Sequence, residues 1–184
     1  MRSFIAVPIP DKCREMLAKL QRELQESRAE VRWSNIQSIH LTLKFLGEVD
    51  QTIPTRIAEA LNASSVSLQP FTLRLATLGS FPTPKNPRIL WCGVEGDTEM
   101  LSNLHAKVET VCSALGLPSE NRSFQPHLTL GRVKGRKNLH PLMDRIRSGW
   151  EQEGSFTVDH FNIYKSVLMP QGAVYTVVET IALK

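Results

Sequence analysis

The sequence predicts an α+β fold in which antiparallel β-sheets carry helices on their outer side. Three observations lead to this prediction. Helix and strand patterns intermix along the 184 residues, the terminal strands form hairpins, and the tetrapeptide His-Leu-Thr-Leu occurs twice, at 40–43 and 127–130, each time in a strand. Both halves of the chain share the order strand, helix, motif strand. We therefore expect one domain over 1–184, made of two lobes with one motif each.

The N-terminal part begins with a strand over 3–9, a β-branched and aromatic run that two prolines stop. A helix follows over 11–27, because four apolar residues recur at helical spacing between charged ones. A brief extended piece at 31–33 and a polar turn lead to the first motif strand, 39–46, which a glycine closes.

The middle of the chain opens with a helix over 50–63, which has an apolar stripe. Alternation predicts a strand over 71–78, and three prolines with a glycine predict a loop over 79–87. A strand with an apolar centre follows at 89–94. The segment 98–115 places six apolar residues on one helical face and ends at a glycine, which predicts a capped helix.

The C-terminal part starts with a polar loop at 119–125 and continues into the second motif strand, 127–133. Residues 139–146 have a helical pattern. Strands are predicted over 155–165 and 174–183, with a Pro-Gln-Gly turn between them.

Composition excludes some classes of protein without naming a function. Apolar residues make up 41% and charged residues 22%, and no apolar run has the roughly 18–20 residues of a membrane span. The net charge of +4 suits an anionic ligand such as a nucleotide or an RNA end, but many proteins that bind neither carry the same excess. Three widely spaced cysteines indicate buried thiols in a reducing compartment, so we expect a cytoplasmic protein.

The repeated tetrapeptide carries the chemistry. In a strand, residues i and i+2 point to the same face, so His40 projects with Thr42 and His127 with Thr129. Imidazoles titrate near pH 6.5, so one histidine can act as a general base while the other acts as a general acid. Threonine hydroxyls beside them can hold an anion, and a phosphodiester fits such a pair without a metal. Zinc is disfavoured because each motif strand supplies a single ligand.

The context of the motifs resembles a known family. The segments IHLTLKFLGEV and FQPHLTLGRVK, with RSFIAVPIP at the N-terminus, are similar to the RNA 2',3'-cyclic phosphodiesterase branch of the 2H phosphoesterase superfamily, long called 2'-5' RNA ligases. The resemblance implies a bilobal, pseudo-two-fold body whose two mainly antiparallel sheets face a central groove, with helices packed outside. It also implies metal-independent hydrolysis of RNA 2',3'-cyclic phosphate ends to 2'-phosphomonoesters, and reversible 2'-5' ligation without ATP.

Carried over by position, the resemblance makes His40 the proton donor and His127 the proton acceptor. Thr42 and Thr129 would hold the phosphate; the near symmetry of the motifs does not itself assign the two proton roles. An arginine at the place of Arg132 is typical of this branch. In a regular strand Arg132 would face away from His127, and it reaches the phosphate only if a bulge near its neighbouring glycine turns it.

Further groove residues are predicted around the motifs. Phe124 and Trp33 are candidates for stacking on a base, although plain packing explains either residue equally well. Lys44 lies on the His40 face by strand parity and would add positive potential to the groove, unless it is a solvated lysine at the strand end. Phe45 shares the parity of the motif leucines, so we expect it in the core.

Two alternatives remain open at this point. The chain is either an enzyme with these residues in its groove or a non-catalytic module that binds nucleotides or RNA. As an enzyme it acts on RNA 2',3'-cyclic ends, or performs the same chemistry on another cyclic or 2',5'-linked nucleotide. The basic cluster 132–137 is either a solvated loop or an RNA-backbone contact. We expect no cofactor, no membrane partner and a monomeric protein.

Overall fold

The computed structural model describes residues 1–63, 69–150, 154–170 and 172–184. Within these ranges it contains nine strands and four α-helices, with a short 3-10 helix at Ile36–Ser38. The strands are β1 Arg2–Pro8, β2 Val31–Trp33, β3 His40–Glu48, β4 Phe71–Thr83, β5 Asn86–Gly96, β6 His127–Val133, β7 Ser155–Val158, β8 His160–Met169 and β9 Gly172–Ala182. The helices are α1 Asp11–Gln25, α2 Ile53–Ala63, α3 Thr98–Ala114 and α4 Leu139–Arg147.

The described strands form one sheet in the order β7-β4-β5-β6-β3-β1-β8-β9, with β2 beside β6. All pairings are antiparallel, so the predicted α+β fold with antiparallel sheets is confirmed. The two predicted sheets are joined where the motif strands β3 and β6 meet, through the pairing of Leu41 with Leu128.

The sheet is nearly symmetric about the contact between β3 and β6. In one half α1 connects β1 to β3, and in the other half α3 connects β5 to β6, which matches the predicted order of strand, helix and motif strand. The next long strand of each repeat crosses over: β4 lies beside β5, and β8 lies beside β1. Each motif strand is therefore flanked by three further strands on its outer side.

The helices bury their apolar faces in the same core as the motif leucines. Leu17 and Leu20 of α1, Leu104 of α3, and Leu41 and Leu128 of the motif strands are fully buried in one cluster. This core fills one side of the sheet and leaves the alternate residues of the motif strands on the other side. The three cysteines are buried and free, as predicted. Over the described ranges, no helix is long and apolar enough to cross a membrane.

Two element predictions were wrong. The segment 79–87 is not a loop, because β4 continues to Thr83 and pairs with β5 through a register shift beside Pro82. A hairpin tolerates proline near its tip, where few ladder hydrogen bonds are lost. The predicted strand 155–165 is two strands divided at Asp159: β7 pairs with β4 and β8 pairs with β1, so the chain passes there from one half of the sheet to the other.

Candidate active site

The two motifs lie side by side in the middle of the sheet. Leu41 pairs with Leu128 in an antiparallel ladder, so one step along the strands places His40 opposite Thr129 and Thr42 opposite His127. Because both leucines point into the core, the four polar side chains share the other face. The histidines occupy diagonal positions, which in such a ladder lie about 7–8 Å apart. An anion of phosphate size fits between them.

Both imidazoles are oriented in the same way by their own strands. The Nδ1–H of His40 donates to the carbonyl of Ser38 at 2.7 Å, and that of His127 donates to the carbonyl of Gln125 at 2.7 Å. A carbonyl only accepts, so Nδ1 carries the proton and Nε2 is the nitrogen that can exchange one. Within the described part of the chain, neither Nε2 atom has a hydrogen-bond partner.

His40 sits among aromatic rings. It stacks on Phe4 with ring centroids 4.5 Å apart, and the edge of Tyr175 approaches at 5.3 Å, with Tyr164 at 6.3 Å. Burial lowers the pKa of His40, the hydrogen bond to Ser38 acts in the opposite direction, and the charge on His127 lowers this pKa further. The surroundings of His40 therefore disfavour its charged form.

His127 lies against a second aromatic wall. The ring of Phe81 meets it edge-on at 5.0 Å, and Phe81 packs in turn on Trp91 at 5.3 Å. Trp91 pairs with Thr129 across β5 and β6. Its indole covers Gly79, where a Cβ atom would stand 2.2 Å from the ring. Sequence reasoning missed this wall, because Phe81 fell in a segment predicted as a loop.

The second motif strand bulges at Leu130. Leu90 of β5 pairs with Gly131, whereas the next residue, Trp91, pairs with Thr129, so Leu130 is the extra residue. The bulge reverses the parity of the strand beyond it. Arg132 accordingly pairs with Ile89, which lies on the same face of β5 as Trp91. Arg132 therefore lies on the same side of the sheet as Thr129, the partner of Trp91. The bulge that Arg132 needs is present, one residue earlier than predicted.

A buried glutamine of α1 fixes this bulge. The side-chain amide of Gln21 donates to the carbonyl of Leu130 at 2.8 Å and to that of Ser34 at 2.9 Å. Gln21 is 5% exposed. The signal for this residue was in the sequence: Gln21 lies four positions after Leu17 on the apolar face of the helix, where a polar residue needs a buried partner.

The first motif strand bulges at the equivalent leucine, Leu43, because Ile5 pairs with Lys44 while Ala6 pairs with Thr42. The prediction for Lys44 was wrong. The bulge turns Lys44 away from His40 and into the helix layer, where it is 3% exposed and its Nζ donates to Glu109 at 2.7 Å and to the carbonyl of Pro118 at 2.8 Å.

The same bulge overturns the expectation that Phe45 belongs to the core. Phe45 is 64% exposed and lies on the face of His40, with its ring 6.3 Å from that of Phe4. It borders a shallow cleft of about 490 Å³ whose other wall is the segment 117–122. Phe45 and Arg132 each stand five residues after a motif histidine, so the two bulges bring equivalent positions to the groove.

Phe124 and Trp33 were wrong as groove residues. Phe124 stacks on His105 of α3, with ring centroids 4.0 Å apart, on the helix side of the sheet. Trp33 pairs with Gly131, the partner of the core residue Leu90, and it packs on the core. The neighbour of Trp33, Arg32, takes the groove face instead, directly opposite Arg132.

The arrangement is suited to acid and base chemistry on an anion. Two imidazoles, each able to take up or release a proton at Nε2, flank a space beside two threonine hydroxyls, and Arg132 extends from the same face of the sheet. Among the residues that the structure describes, no three His, Cys, Asp or Glu side chains group together as ligands of a metal ion.

Known proteins are similar to this chain in sequence and in fold. The family model of the 2'-5' RNA ligase superfamily matches residues 10–167. The RNA 2',3'-cyclic phosphodiesterase of Archaeoglobus fulgidus is 37% identical over 176 residues, which cover 95% of this chain and 96% of that protein. The enzyme of the same name from Methanocaldococcus jannaschii is 34% identical over 180 residues, or 97% of this chain and 99% of the relative.

Solved structures give the same answer for the fold. A crystal structure of a protein from Thermus thermophilus superposes with a TM-score of 0.79 at 27% identity, covering 100% of this chain and 98% of that chain. Escherichia coli LigT complexed with 3'-AMP superposes with a TM-score of 0.76 at 26% identity, covering 99% and 97%. With a family model that matches most of its length and relatives above 30% identity, this chain belongs to the 2'-5' RNA ligase superfamily.

Proposed function

We propose that this protein hydrolyses the 2',3'-cyclic phosphate end of an RNA to a 2'-phosphomonoester, without a metal. One observation carries the proposal: the two motif histidines lie diagonally across one face of the sheet, each opposite a motif threonine, and both present Nε2 as the nitrogen that can exchange a proton. The activity is the one named for relatives that are 34% and 37% identical to this chain. One chain supplies both histidines and both threonines of the site, which supports a monomer. The cysteines of the protein are free and buried, which supports action in the cytoplasm.

The chemistry needs one proton acceptor and one proton donor. His127 takes a proton from water as the water oxygen attacks phosphorus. The bond from phosphorus to the 3'-oxygen breaks, and His40 gives that oxygen a proton, which leaves the phosphate on the 2'-oxygen. The lowered pKa of His40 makes its protonated form a stronger acid, and the bound phosphate anion favours that form. Thr42, Thr129 and Arg132 stabilise the remaining phosphate oxygens.

An end-group assay tests the function. An RNA with a 2',3'-cyclic phosphate is incubated with the protein in EDTA, and the product is identified as a 2'- or a 3'-phosphate. We expect a 2'-phosphate, a bell-shaped pH profile and a loss of about a hundredfold or more in His40→Ala and in His127→Ala. His140→Ala is the matched control, because His140 is exposed on α4.

Three results would contradict this function or its substrate. Activity retained in both single histidine variants would remove the paired mechanism. Tight binding of a 2'-phosphorylated nucleotide without turnover of any cyclic substrate would instead favour the non-catalytic binding module. Turnover of a free cyclic nucleotide or a 2',5'-linked dinucleotide, with none of an RNA end, would keep the chemistry and change the substrate.

The donor and acceptor roles need a test of their own. A substrate with sulfur in place of the 3'-oxygen has a thiolate leaving group, whose conjugate acid has a pKa of only about 8.5, so its departure does not need a donor. If His40 is the donor, His40→Ala recovers most of its lost activity on this substrate and His127→Ala does not. Recovery by His127→Ala alone would reverse the assignment.

The exposed ring of Phe45 favours the reverse reaction as a second activity. Beyond Thr42, Phe45 lies on the side of the groove where His127 would activate the attacking group, and its ring is 64% exposed. A nucleoside that offers a 5'-hydroxyl in place of water fits that side, with Phe45 as a stacking surface. We expect Phe45→Ala to reduce 2'-5' joining of a cyclic end to a 5'-hydroxyl RNA by about tenfold and to leave hydrolysis nearly unchanged. Equal losses in both reactions would remove this role.

A further inference from the structure

Arg32 and Arg132 stand directly opposite each other at one end of the groove. They pair across β2 and β6, and residues that pair in this way point to the same face of a sheet. Arg132 also pairs with Ile89 of β5, and Ile89 lies on the face of Trp91, which pairs with Thr129. Both guanidinium groups therefore extend from the face that carries the motif histidines.

Among the described residues, this pair of like charges has no counterion. Both side chains are exposed, and in the described part of the chain neither forms an ion pair or a side-chain hydrogen bond. The carboxylate of nearby Glu30 lies over Gly135 instead. Like charges directly opposite each other destabilise a sheet. An anion bound between or beside them removes that cost.

The place of Arg32 separates it from the reacting phosphate. Arg132 follows Thr129 on the same strand and lies on the same face of the sheet as the motif side chains. Arg32 is one strand further out, about 4.8 Å across the ladder, and lies on the His40 side of the groove. On that side the 3'-oxygen leaves, so the nucleoside that carries the cyclic phosphate lies there. The RNA chain continues from the 5'-oxygen of this nucleoside.

We infer that Arg32 binds the internucleotide phosphate one nucleotide before the cyclic end. This inference rests on the proposed function and specifies its substrate: an oligonucleotide end is recognised through two consecutive phosphates, the reacting one at the motifs and the preceding one at Arg32. Lys134 continues the ladder between β6 and β2 through its backbone hydrogen bond to Glu30, and it has the same strand parity as Arg132. Its positive charge therefore extends the positive surface of Arg32 and Arg132 in the same direction. Arg32 is a specificity residue and has no part in moving protons.

Three substrates test the inference. Adenosine 2',3'-cyclic phosphate lacks the preceding phosphate, the dinucleotide ApA 2',3'-cyclic phosphate has it, and the dinucleotide with a methylphosphonate linkage has the same length without the charge. The wild-type protein should prefer the charged dinucleotide in kcat/KM. Arg32→Gln should lower kcat/KM about tenfold on that substrate alone, because a charge-assisted hydrogen bond to phosphate is lost. On the methylphosphonate, Arg32→Gln should cause no further loss.

Arg56→Gln is the matched control, since it removes the same charge from the exposed surface of α2. An equal loss in Arg32→Gln on all three substrates would overturn the inference, and so would no loss on any of them. If the wild-type protein turns over none of the cyclic substrates, the proposed function itself fails. Turnover by the wild-type protein without a preference for the charged dinucleotide leaves that function intact and removes only the role of Arg32.

Discussion

Single residues explain why two identical tetrapeptides are not equivalent. His40 lies among the rings of Phe4, Tyr164 and Tyr175. Over the described ranges, Phe81 is the one aromatic ring in contact with His127. The aromatic surroundings remove water from His40 and so disfavour its charged form. The asymmetry that an acid and base pair requires is thus provided by neighbours on β1, β8 and β9, and not by the motifs.

The edge of Tyr175 is the part of these surroundings that a substitution can open. Tyr175→Ser admits water to His40, so the pKa of His40 should rise from its lowered value toward about 6.5. The measurement is the pH titration of the His40 ring protons by NMR. Val178→Ser replaces an exposed side chain on the same strand and should leave the pKa of His40 unchanged. An unchanged or lower midpoint in Tyr175→Ser would show that burial does not control this pKa.

At the scale of elements, the two bulges decide which residues reach the groove. Parity from the motif histidines predicts Lys44 in the groove and Phe45 in the core, and the structure has the reverse. The sequence predicts the strands well because each copy of His-Leu-Thr-Leu alternates apolar and polar residues. It does not reveal the bulge at Leu43, because an extra leucine looks the same in a regular strand. Gly131 was the one local signal of a bulge.

Long-range partners explain the other errors in the site. Phe124 and Trp33 were chosen for lying close to the motifs in sequence, but His105 and the core hold them on the helix side. Phe81 was passed over because prolines surround it. The four motif residues were predictable because they repeat in a recognisable pattern, whereas these residues depend on pairings between distant strands.

Gln21 offers a way to test the bulge in β6. Replacing Gln21 with Leu removes both hydrogen bonds of its amide and leaves the carbonyl of Ser34 without its donor. We expect a loss of about 2 kcal/mol in the free energy of unfolding. Because the bulge aims Arg132, kcat/KM should also fall in the folded protein. Gln25→Leu, on the exposed side of the same helix, is the control for both denaturation and kinetics. A loss of stability with full activity would show that the bulge persists without Gln21.

The ion pair between Lys44 and Glu109 stabilises the link between β3 and α3. Lys44→Met leaves the largely buried carboxylate of Glu109 without its ammonium partner. Among the described residues, only His105 at 3.9 Å and the backbone N–H of Glu120 at 3.4 Å then remain near it, so the change should cost about 3 kcal/mol of unfolding free energy. The additional change Glu109→Leu should restore part of that loss. The kcat of the folded Lys44→Met protein should stay close to that of the wild type, since Lys44 faces away from the groove. A large fall in kcat at unchanged stability would show that Lys44 takes part in the active site. Lys19→Met, which changes an exposed lysine, is the surface control.

For the molecule as a whole, the duplicated arrangement places one site on the axis of a nearly symmetric sheet. Neither half has a complete site, because each contributes one histidine and one threonine. Each half contributes to the other the long strand that follows its motif strand: β4 pairs with β5, and β8 pairs with β1. This exchange joins the halves through the covalent chain as well as through β3 and β6. It also explains why the segment 155–165 could not be read as one strand.

The two halves of the sheet meet at a narrow contact between the motif strands β3 and β6. The cooperativity of unfolding therefore shows whether the halves fold together or independently. Leu128→Ala removes a fully buried side chain next to both His127 and Thr129, so we expect a loss of about 2–5 kcal/mol in unfolding free energy and a lower kcat. Because the core is continuous across both halves, we propose that they unfold as one domain. Circular dichroism and tryptophan fluorescence should therefore follow a single coincident transition in the wild type and in the variant. Leu168→Ala, at the exposed end of β8, should change neither stability nor kcat. Two separate transitions, with Leu128→Ala affecting only one of them, would mean that the halves fold independently and that the site forms when they meet.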